Sequence, residues 1–374
     1  MTKEFEIGPI RPPSEAGSLL LRITRNCPWN KCKFCKLYKK VGFSTRPFED
    51  IKADIDRVAS IRDDILNRSS DAELRKKLND LPEDAAQSYL HVLRWMSGGE
   101  NSVFLQDANT MVLSFDKLRD ILCYLREKLP EIKRVTAYGR IDSLDKFSAE
   151  QFLALKEAGL RRIHSGFESG SDKVLTLINK GFSKAQEIHA GQKVKAAGIE
   201  LSVYFMPGVG GRALSGDNAI ETADAVNKIN PDFVRVRTFV SLPKTGLMDD
   251  IDAGLISECT DVEKALELRT MIENLDGADG HLYSDHIINL FEDVNGNMRT
   301  DKADMLSVFA DFLRLDTMER QRYQIARRMG MVRSLSHLGI LDVRQRETVD
   351  MYLSHLGTEE MFEAFLLKFL RQYV

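Results

Sequence analysis

The sequence predicts the α/β class: a parallel sheet of six strands, open or closed into a barrel, followed by a mainly helical C-terminal region. Three observations carry this. Short apolar runs alternate with helical patterns through the first two thirds of the chain. Two turns, Glu-Ala-Gly-Leu at 157–160 and Ala-Ala-Gly-Ile at 196–199, place glycine where a helix ends and a strand begins. Beyond about residue 250 the strand signals stop and helical spacing takes over.

The elements follow in order. Residues 19–23 read as a strand that runs into the loop TRNCPWNKCKFCKLYKK, punctuated by Pro28 and Asn30. Ile51, Ile55, Val58 and Ile61 recur at helical spacing. The charged stretch 67–80 reads as a solvated helix or excursion, and Pro82 opens a helix that continues to Trp95. Strands are then expected at 103–105, 134–138, 162–167, 199–205 and 233–239, with helices at 114–129, 148–158, 184–197 and 217–229 between them. A helix at 260–275, a mixed connection at 281–302 and a helical remainder from 305 complete the chain. The expected division is an N-terminal segment 1–17, a strand–helix domain 18–250 and a helical region 251–374.

The 374 residues are 43% hydrophobic, enough for a sizeable buried core. Net charge is −3, with Lys and Arg scattered, so capture of nucleic acid by bulk charge is disfavoured while a local patch stays open. The polar start does not read as a secretory leader, and no run approaches the ~20 apolar residues of a membrane span. A soluble protein of the reducing cytoplasm is expected.

Five cysteines in a chain of this length do not form a disulfide scaffold, but three fall within nine residues. Cys27, Cys32 and Cys35 follow C-x4-C-x2-C, a soft donor set that suits zinc or iron–sulfur. A structural zinc site normally takes four ligands, and the next histidine, His91, is far along the chain. Three thiolates can hold three corners of a cubane and leave one iron open. A zinc knuckle is the competing reading. Cys123, on an apolar helix face, reads as a small hydrophobe, and Cys259 stands alone near a helix start, so one cluster is expected.

The loop RNCPWNKCKFC resembles the cluster loop of the radical S-adenosylmethionine superfamily. The usual spacing there is C-x3-C-x2-C; this loop carries one extra residue, while Phe34 before the last cysteine matches. VFLQDAN, YGRID, GFESGSDKVL and INKG follow in an order similar to the branch that holds anaerobic coproporphyrinogen oxidase and the elongator-type radical enzymes. The resemblance covers roughly residues 18–245.

That resemblance implies a partial (β/α)6 TIM-like barrel with a [4Fe–4S] cluster on Cys27, Cys32 and Cys35. It implies S-adenosylmethionine on the open iron, cleaved reductively to methionine and a 5′-deoxyadenosyl radical that takes hydrogen from an unidentified small-molecule substrate. A flavodoxin- or ferredoxin-like electron donor is implied, and a homodimer stays open. So do a coproporphyrinogen oxidase-like or haem-handling protein, a cluster or cofactor carrier, and an RNA-modifying radical enzyme. No cobalamin-binding domain is expected ahead of the barrel, which argues against ordinary cobalamin-dependent methylation unless cobalamin binds without such a domain.

By the same resemblance, Phe34, Asp107, Ala108, Asn109, Glu168, Ser202, Gly208, Gly210 and Arg237 are the candidate cofactor contacts. Gly98-Gly99-Glu100 looks like a family Gly-Gly-Glu but precedes its strand, so it reads as a helix-to-strand turn. Glu168 would take the ribose hydroxyls, unless it caps a helix, a place Ser169 or Ser171 could fill. Gly208 and Gly210, in MPGVGG, let backbone approach a ligand closely. Arg235 and Arg237 alternate onto one strand face.

Tyr138 and Arg140 are the substrate-side candidates after the third strand, Arg140 as an anchor for carboxylate or phosphate. His286 is a candidate proton carrier near neutral pH. His164 reads as core or as support for the cofactor, and His189 as structural. The arginines 314, 320, 322, 327, 328 and 333 read as a solvated helical surface, and the stretch MFEAFLLKFL as a packing face.

Overall fold

Every predicted strand forms, each as a parallel neighbour of the next in the registered pairs. The computed structural model describes residues 4–68, 70–99 and 101–373. We number the strands β1 Leu19–Arg22, β2 Ser102–Gln106, β3 Arg134–Tyr138, β4 Leu160–Glu168, β5 Glu200–Phe205 and β6 Phe233–Val236. Two further strands, β7 His281–Tyr283 and β8 Gly296–Asn297, arise in the expected mixed connection. The sheet order is the chain order, β1 to β8, with only β8 registered antiparallel, on β7. The fold is a partial TIM-like α/β barrel with a mainly helical C-terminal region, as expected.

Helix placement follows local sequence. Ser148 caps Ala149–Glu157 through a reciprocal pair with Gln151, and Thr260 caps Asp261–Glu273 through one with Glu263. Gly159 and Gly198 hold φ of +117° and +68° in the two predicted turns, a region that strains most residues with a side chain. The charged stretch forms the helix Asp71–Asp80 with no buried residue, which is the solvated reading. Gly98 and Gly99 lie in the helix-to-strand turn as expected; Glu100 lies outside the described residues.

The chain forms two compact units. The first holds residues up to Asn30, Tyr38–Ser165 and Lys193–Leu201. Its helix Phe48–Leu66 buries Ile51, Ile55, Val58 and Ile61 against the helices Glu83–Ser97 and Phe115–Lys128. Cys123 is exposed on the last of these, which corrects its reading as a buried hydrophobe: the buried face is Leu118, Ile121, Leu122 and Leu125.

β1 is an edge strand, and its outward amides are covered. Leu20 N–H donates to His91 Nε2 at 3.0 Å, and Arg22 N–H to the Glu6 carbonyl at 3.2 Å. Burial, and then Arg94, push the His91 imidazole down to about 4, so it is a neutral acceptor at pH 7. The N-terminal segment continues along the strands: Gly8 N–H donates to Gln106 Oε1 at 2.8 Å. A short 3-10 turn, Pro13–Glu15, then buries Glu15, whose carboxylate meets Ser18 Oγ at 2.6 Å, Arg134 at 3.3 Å and His164 Nε2 at 3.3 Å. His164 is therefore a core histidine in a polar knot, one of its two predicted roles.

The second unit holds Lys31–Leu37, Gly166–Gln192 and the chain from Ser202 on. The helices Gly211–Ile229 and Asp261–Glu273 pack together there, and Phe291, Phe309, Phe312 and Tyr323 form an aromatic cluster with centroids 5.1–5.9 Å apart. Two of the arginines read as solvated are interior. Arg328 pairs with buried Asp261 and donates to the carbonyl of Ile288 at 3.1 Å, and to those of Ile287 and Asn289 at 3.3 Å. Arg327 reaches Glu292 at 2.9 Å, the Asn289 carbonyl at 3.1 Å and the His286 carbonyl at 3.3 Å. The sequence shows the charge of this helix but not the carbonyls that face it.

Candidate active site

Within the first unit the cysteine loop begins on a two-stranded ribbon, Thr24–Arg25 against Ser44–Thr45. Asn26 and Asn30 take left-handed φ of 66° and 46°, which asparagine tolerates and which turns the chain on either side of Cys27. Asn30 N–H donates to Cys27 Sγ at 3.4 Å. The Asn30 side-chain amide donates to the Tyr38 carbonyl, and Lys39 Nζ to the Asn30 carbonyl at 2.8 Å. Asn30 is thus tied to the residues that follow the last cysteine.

Asp107 is wholly buried, and its carboxylate gathers this loop. It accepts from Arg22 Nη2 at 2.9 Å, from Asn26 N–H at 3.2 Å and from the Tyr38 hydroxyl. Burial and this carboxylate together push the Tyr38 phenol far upward, so it stays a donor. Asn109 is equally buried: Oδ1 accepts from Arg140 N–H at 3.0 Å, and Nδ2 donates to Ser143 Oγ at 2.8 Å. Both side chains are engaged within the protein. Ala108, between them, is the partly exposed member of the predicted trio.

Arg140 lies with its guanidinium 5.3 Å from the Trp29 ring, inside the cysteine loop, and its Nε 2.9 Å from Asp142. Tyr138 packs edge-on to Phe104 at 5.0 Å and to His164 at 6.0 Å.

In the second unit the loop continues through Cys32, buried, and Cys35, partly exposed. Lys33 is held on both main-chain sides: its N–H donates to Ile178 O at 2.9 Å, and its carbonyl accepts from Leu247 N–H at 3.0 Å. Phe34 packs into the apolar cluster of Val174, Ile178, Val209, Phe239 and Leu247.

Glu168 ends β4 with φ +68° and pairs with Lys180, 3.2 Å away. Lys180 is 4% exposed, and its ammonium lies 5.7 Å from the Phe34 ring. A Cβ on Gly166 would come within 2.5 Å of Glu168 Oε1 and 3.4 Å of Lys180 Nζ, so glycine makes room for the pair. The helix-capping alternative for Glu168 does not arise, because Ser171 Oγ caps Asp172–Leu177.

Gly208 has φ +85°, and its N–H donates to Glu267 Oε1 at 3.0 Å; a Cβ there would strike Lys264 at 2.7 Å. A Cβ on Gly210 would lie 2.9 Å from Val174. Both glycines are required by close approach inside the protein. Glu267 also accepts from Asn218 Nδ2 at 2.5 Å and Ser215 Oγ at 2.6 Å, and burial pushes its carboxyl up to about 7 despite those bonds.

Ser202 lies buried on β5. Arg237 stacks 5.6 Å from Tyr204 and lies 3.8 Å from Asp285. Burial, and then Arg237, push His286 down to about 4, and its Nδ1 already accepts from Ile288 N–H at 3.3 Å. At that value it is a neutral imidazole at pH 7. Sequence reasoning missed Arg22, Tyr38 and Lys180; Lys180 stands inside the quoted INKG string and was the legible one of the three.

The sequence model of the Radical SAM superfamily matches residues 21–221. The chain belongs to this superfamily. Its cofactors are a [4Fe–4S] cluster and S-adenosylmethionine. Among curated proteins, the 4'-phospho-dehydrooxetanocin synthase of Priestia megaterium is 24% identical over 190 residues, 51% of this chain and 23% of that protein. The chain thus spans about a quarter of that relative's length. Among solved structures, Elp3 of the archaeon Methanocaldococcus infernus is similar at TM-score 0.43 and 14% identity, over 61% of this chain and 58% of that one. Coproporphyrinogen III oxidase (HemN) from Escherichia coli is similar at TM-score 0.39 and 15% identity, over 46% and 39%.

The residues present fit the cluster. Cys27, Cys32 and Cys35 supply three soft sulfur donors from one loop, and an amide N–H is directed at the first of them. A cubane takes one thiolate per iron, and three cysteines leave one iron open. No helix among the described residues is long and apolar enough to cross a membrane.

Proposed function

We propose that the protein cleaves S-adenosylmethionine at a cluster held by Cys27, Cys32 and Cys35, and directs the resulting radical to abstract hydrogen from a small-molecule substrate. The carrying observation is the cysteine loop together with its buried anchor: Asp107 binds Arg22, Asn26 N–H and Tyr38 around the first cysteine. When bound, the reduced cluster supplies the electron that breaks the sulfonium bond.

The chain's own residues hold and shield. The main chain at Ala108 receives the methionine ammonium. Glu168, oriented by Lys180, accepts from the ribose hydroxyls, and Phe34 and the Gly208–Gly210 turn offer apolar and main-chain surface to the cofactor. Arg140 over Trp29 gives the loop a cationic, water-excluding cover.

The test is anaerobic reconstitution with iron and sulfide, then addition of S-adenosylmethionine and a strong reductant, with Cys32→Ala as control. Accumulation of 5′-deoxyadenosine and methionine in the parent alone, read by mass spectrometry, upholds the reading. A cluster-loaded protein that binds the cofactor yet releases neither product, even with candidate substrates, favours a carrier instead.

A further inference from the structure

In the second unit three parallel strands set Tyr204, Arg235 and Tyr283 in one row, Tyr204 level with Arg235 and Arg235 level with Tyr283. Residues in register on parallel strands point to one side, and alternation adds Ser202 and Arg237 to it. Arg237 N–H still donates to the Phe205 carbonyl at 2.9 Å, so the ladder continues to that position. Val203, Phe205, Val234 and Val236 take the opposite side and are buried.

Arg235 is 4% exposed. Its guanidinium lies 4.7 Å from the Tyr283 ring, and its carboxylate neighbour, Asp285, is 3.7 Å away, beyond hydrogen-bond reach. Its Nε is buried and donates to nothing among the described residues, and Ser202 Oγ is in the same condition. Asp285 is shared with Arg237 at 3.8 Å and is 42% exposed, so two guanidinium groups face one loosely held carboxylate.

Arg328 in the same unit shows how this fold satisfies a buried arginine: a bonded carboxylate and three carbonyls. Arg235 has no such set. A buried guanidinium is costly unless its donors are met, and this one keeps a donor directed at the polar face. Arg235 and Arg237 stand two residues apart, about 6.6 Å along a strand, a spacing that lets both forks close on one anion.

We propose that Arg235 and Arg237, with Ser202 and Tyr283 beside them, form a subsite for one anionic group, carboxylate or phosphate, of the substrate. It rests on the radical reading above and deepens it by naming the substrate class: an anionic small molecule.

The test uses the cluster-reconstituted full chain saturated with S-adenosylmethionine, with inorganic phosphate and acetate as probes in equilibrium dialysis. One probe binds, and Arg235→Gln weakens it by about tenfold or more. Arg299→Gln, an exposed arginine paired with Asp279, leaves binding unchanged. Arg235→Lys keeps the charge without the fork and weakens binding by a smaller factor; it serves if the glutamine variant does not fold. Tighter phosphate identifies a phosphoryl group, and tighter acetate a carboxylate. The subsite is overturned if neither probe binds, if S-adenosylmethionine displaces them, or if both Arg235 variants bind as the parent does. Formation of 5′-deoxyadenosine by the parent is followed in parallel. Product without anion binding sinks the subsite alone, and anion binding without product under any condition sinks the radical reading alone.

Discussion

At the scale of single residues, the candidate site depends on side chains that bind one another around the cysteine loop. Asp107 gathers three donors around the start of the cysteine loop. Asp107→Ala should strip that anchor and leave Arg22 less well paired, at a cost of ~2–4 kcal/mol and with a several-fold loss of reconstituted iron per chain. Tyr38→Phe removes one bond and should cost only ~1 kcal/mol. Denaturant titration and iron assay check both; full cluster retention in the alanine variant would refute the anchoring role. Gly166→Ala pushes a methyl group into Glu168 and should weaken S-adenosylmethionine binding by about tenfold while iron content holds. Unchanged affinity would show that Glu168 does not contact the cofactor. The cysteines, Phe34, Glu168 and the Asp107 segment were legible because each sits in a short string whose order carries meaning. Arg22 and Tyr38 were not, because their partner, Asp107, lies far along the chain just past β2 and nothing local to either residue marks it.

At the scale of elements, the strand–helix alternation was legible because a parallel strand buried on both faces writes a continuous apolar run, as in Val103 to Leu105. β7 and β8 were not, since strands of three and two residues leave no period to read. The helix Thr317–Arg328 misled for a different reason. Its arginines look solvated beside their acidic neighbours, yet Arg327 and Arg328 bind the carbonyls of the 286–289 segment. Arg328→Met leaves Asp261 buried without its partner and should destabilise by ~3–5 kcal/mol. Urea unfolding measures this; a loss below ~1 kcal/mol would mean that the pair is replaceable by packing.

At the scale of the whole molecule, buried ionisable groups pull stability in opposite directions with pH. The carboxyl of Glu267 is raised from 4.5 to about 7, so its contribution is full below 4.5 and is lost as pH rises through 7. Glu363, raised to about 7 by burial, acts the same way. His91 and His286 are lowered from 6.5 to about 4, so theirs is full above 6.5 and is lost as pH falls through 4. Between 4.5 and 6.5 the two sets oppose each other. Glu267→Gln keeps an acceptor for Gly208 and Asn218 without the charge. It should raise stability above pH 7 and steepen the loss on acidification across that window, as read from melting temperatures. A parallel shift at every pH would show that Glu267 is not the titrating group.

The neutral imidazole over the Leu20 amide has a consequence apart from folding energy. Once His91 takes a proton it can no longer accept that hydrogen bond, and the outer side of β1 offers a bare main-chain donor to whatever strand passes. Acidification to about pH 4 would then convert a protected molecular border into a template for chain-to-chain addition. The hazard in acidic storage or crystallisation is turbidity from molecules still largely folded, and a substituent at position 91 that accepts without titrating, such as glutamine, is the remedy that this geometry recommends.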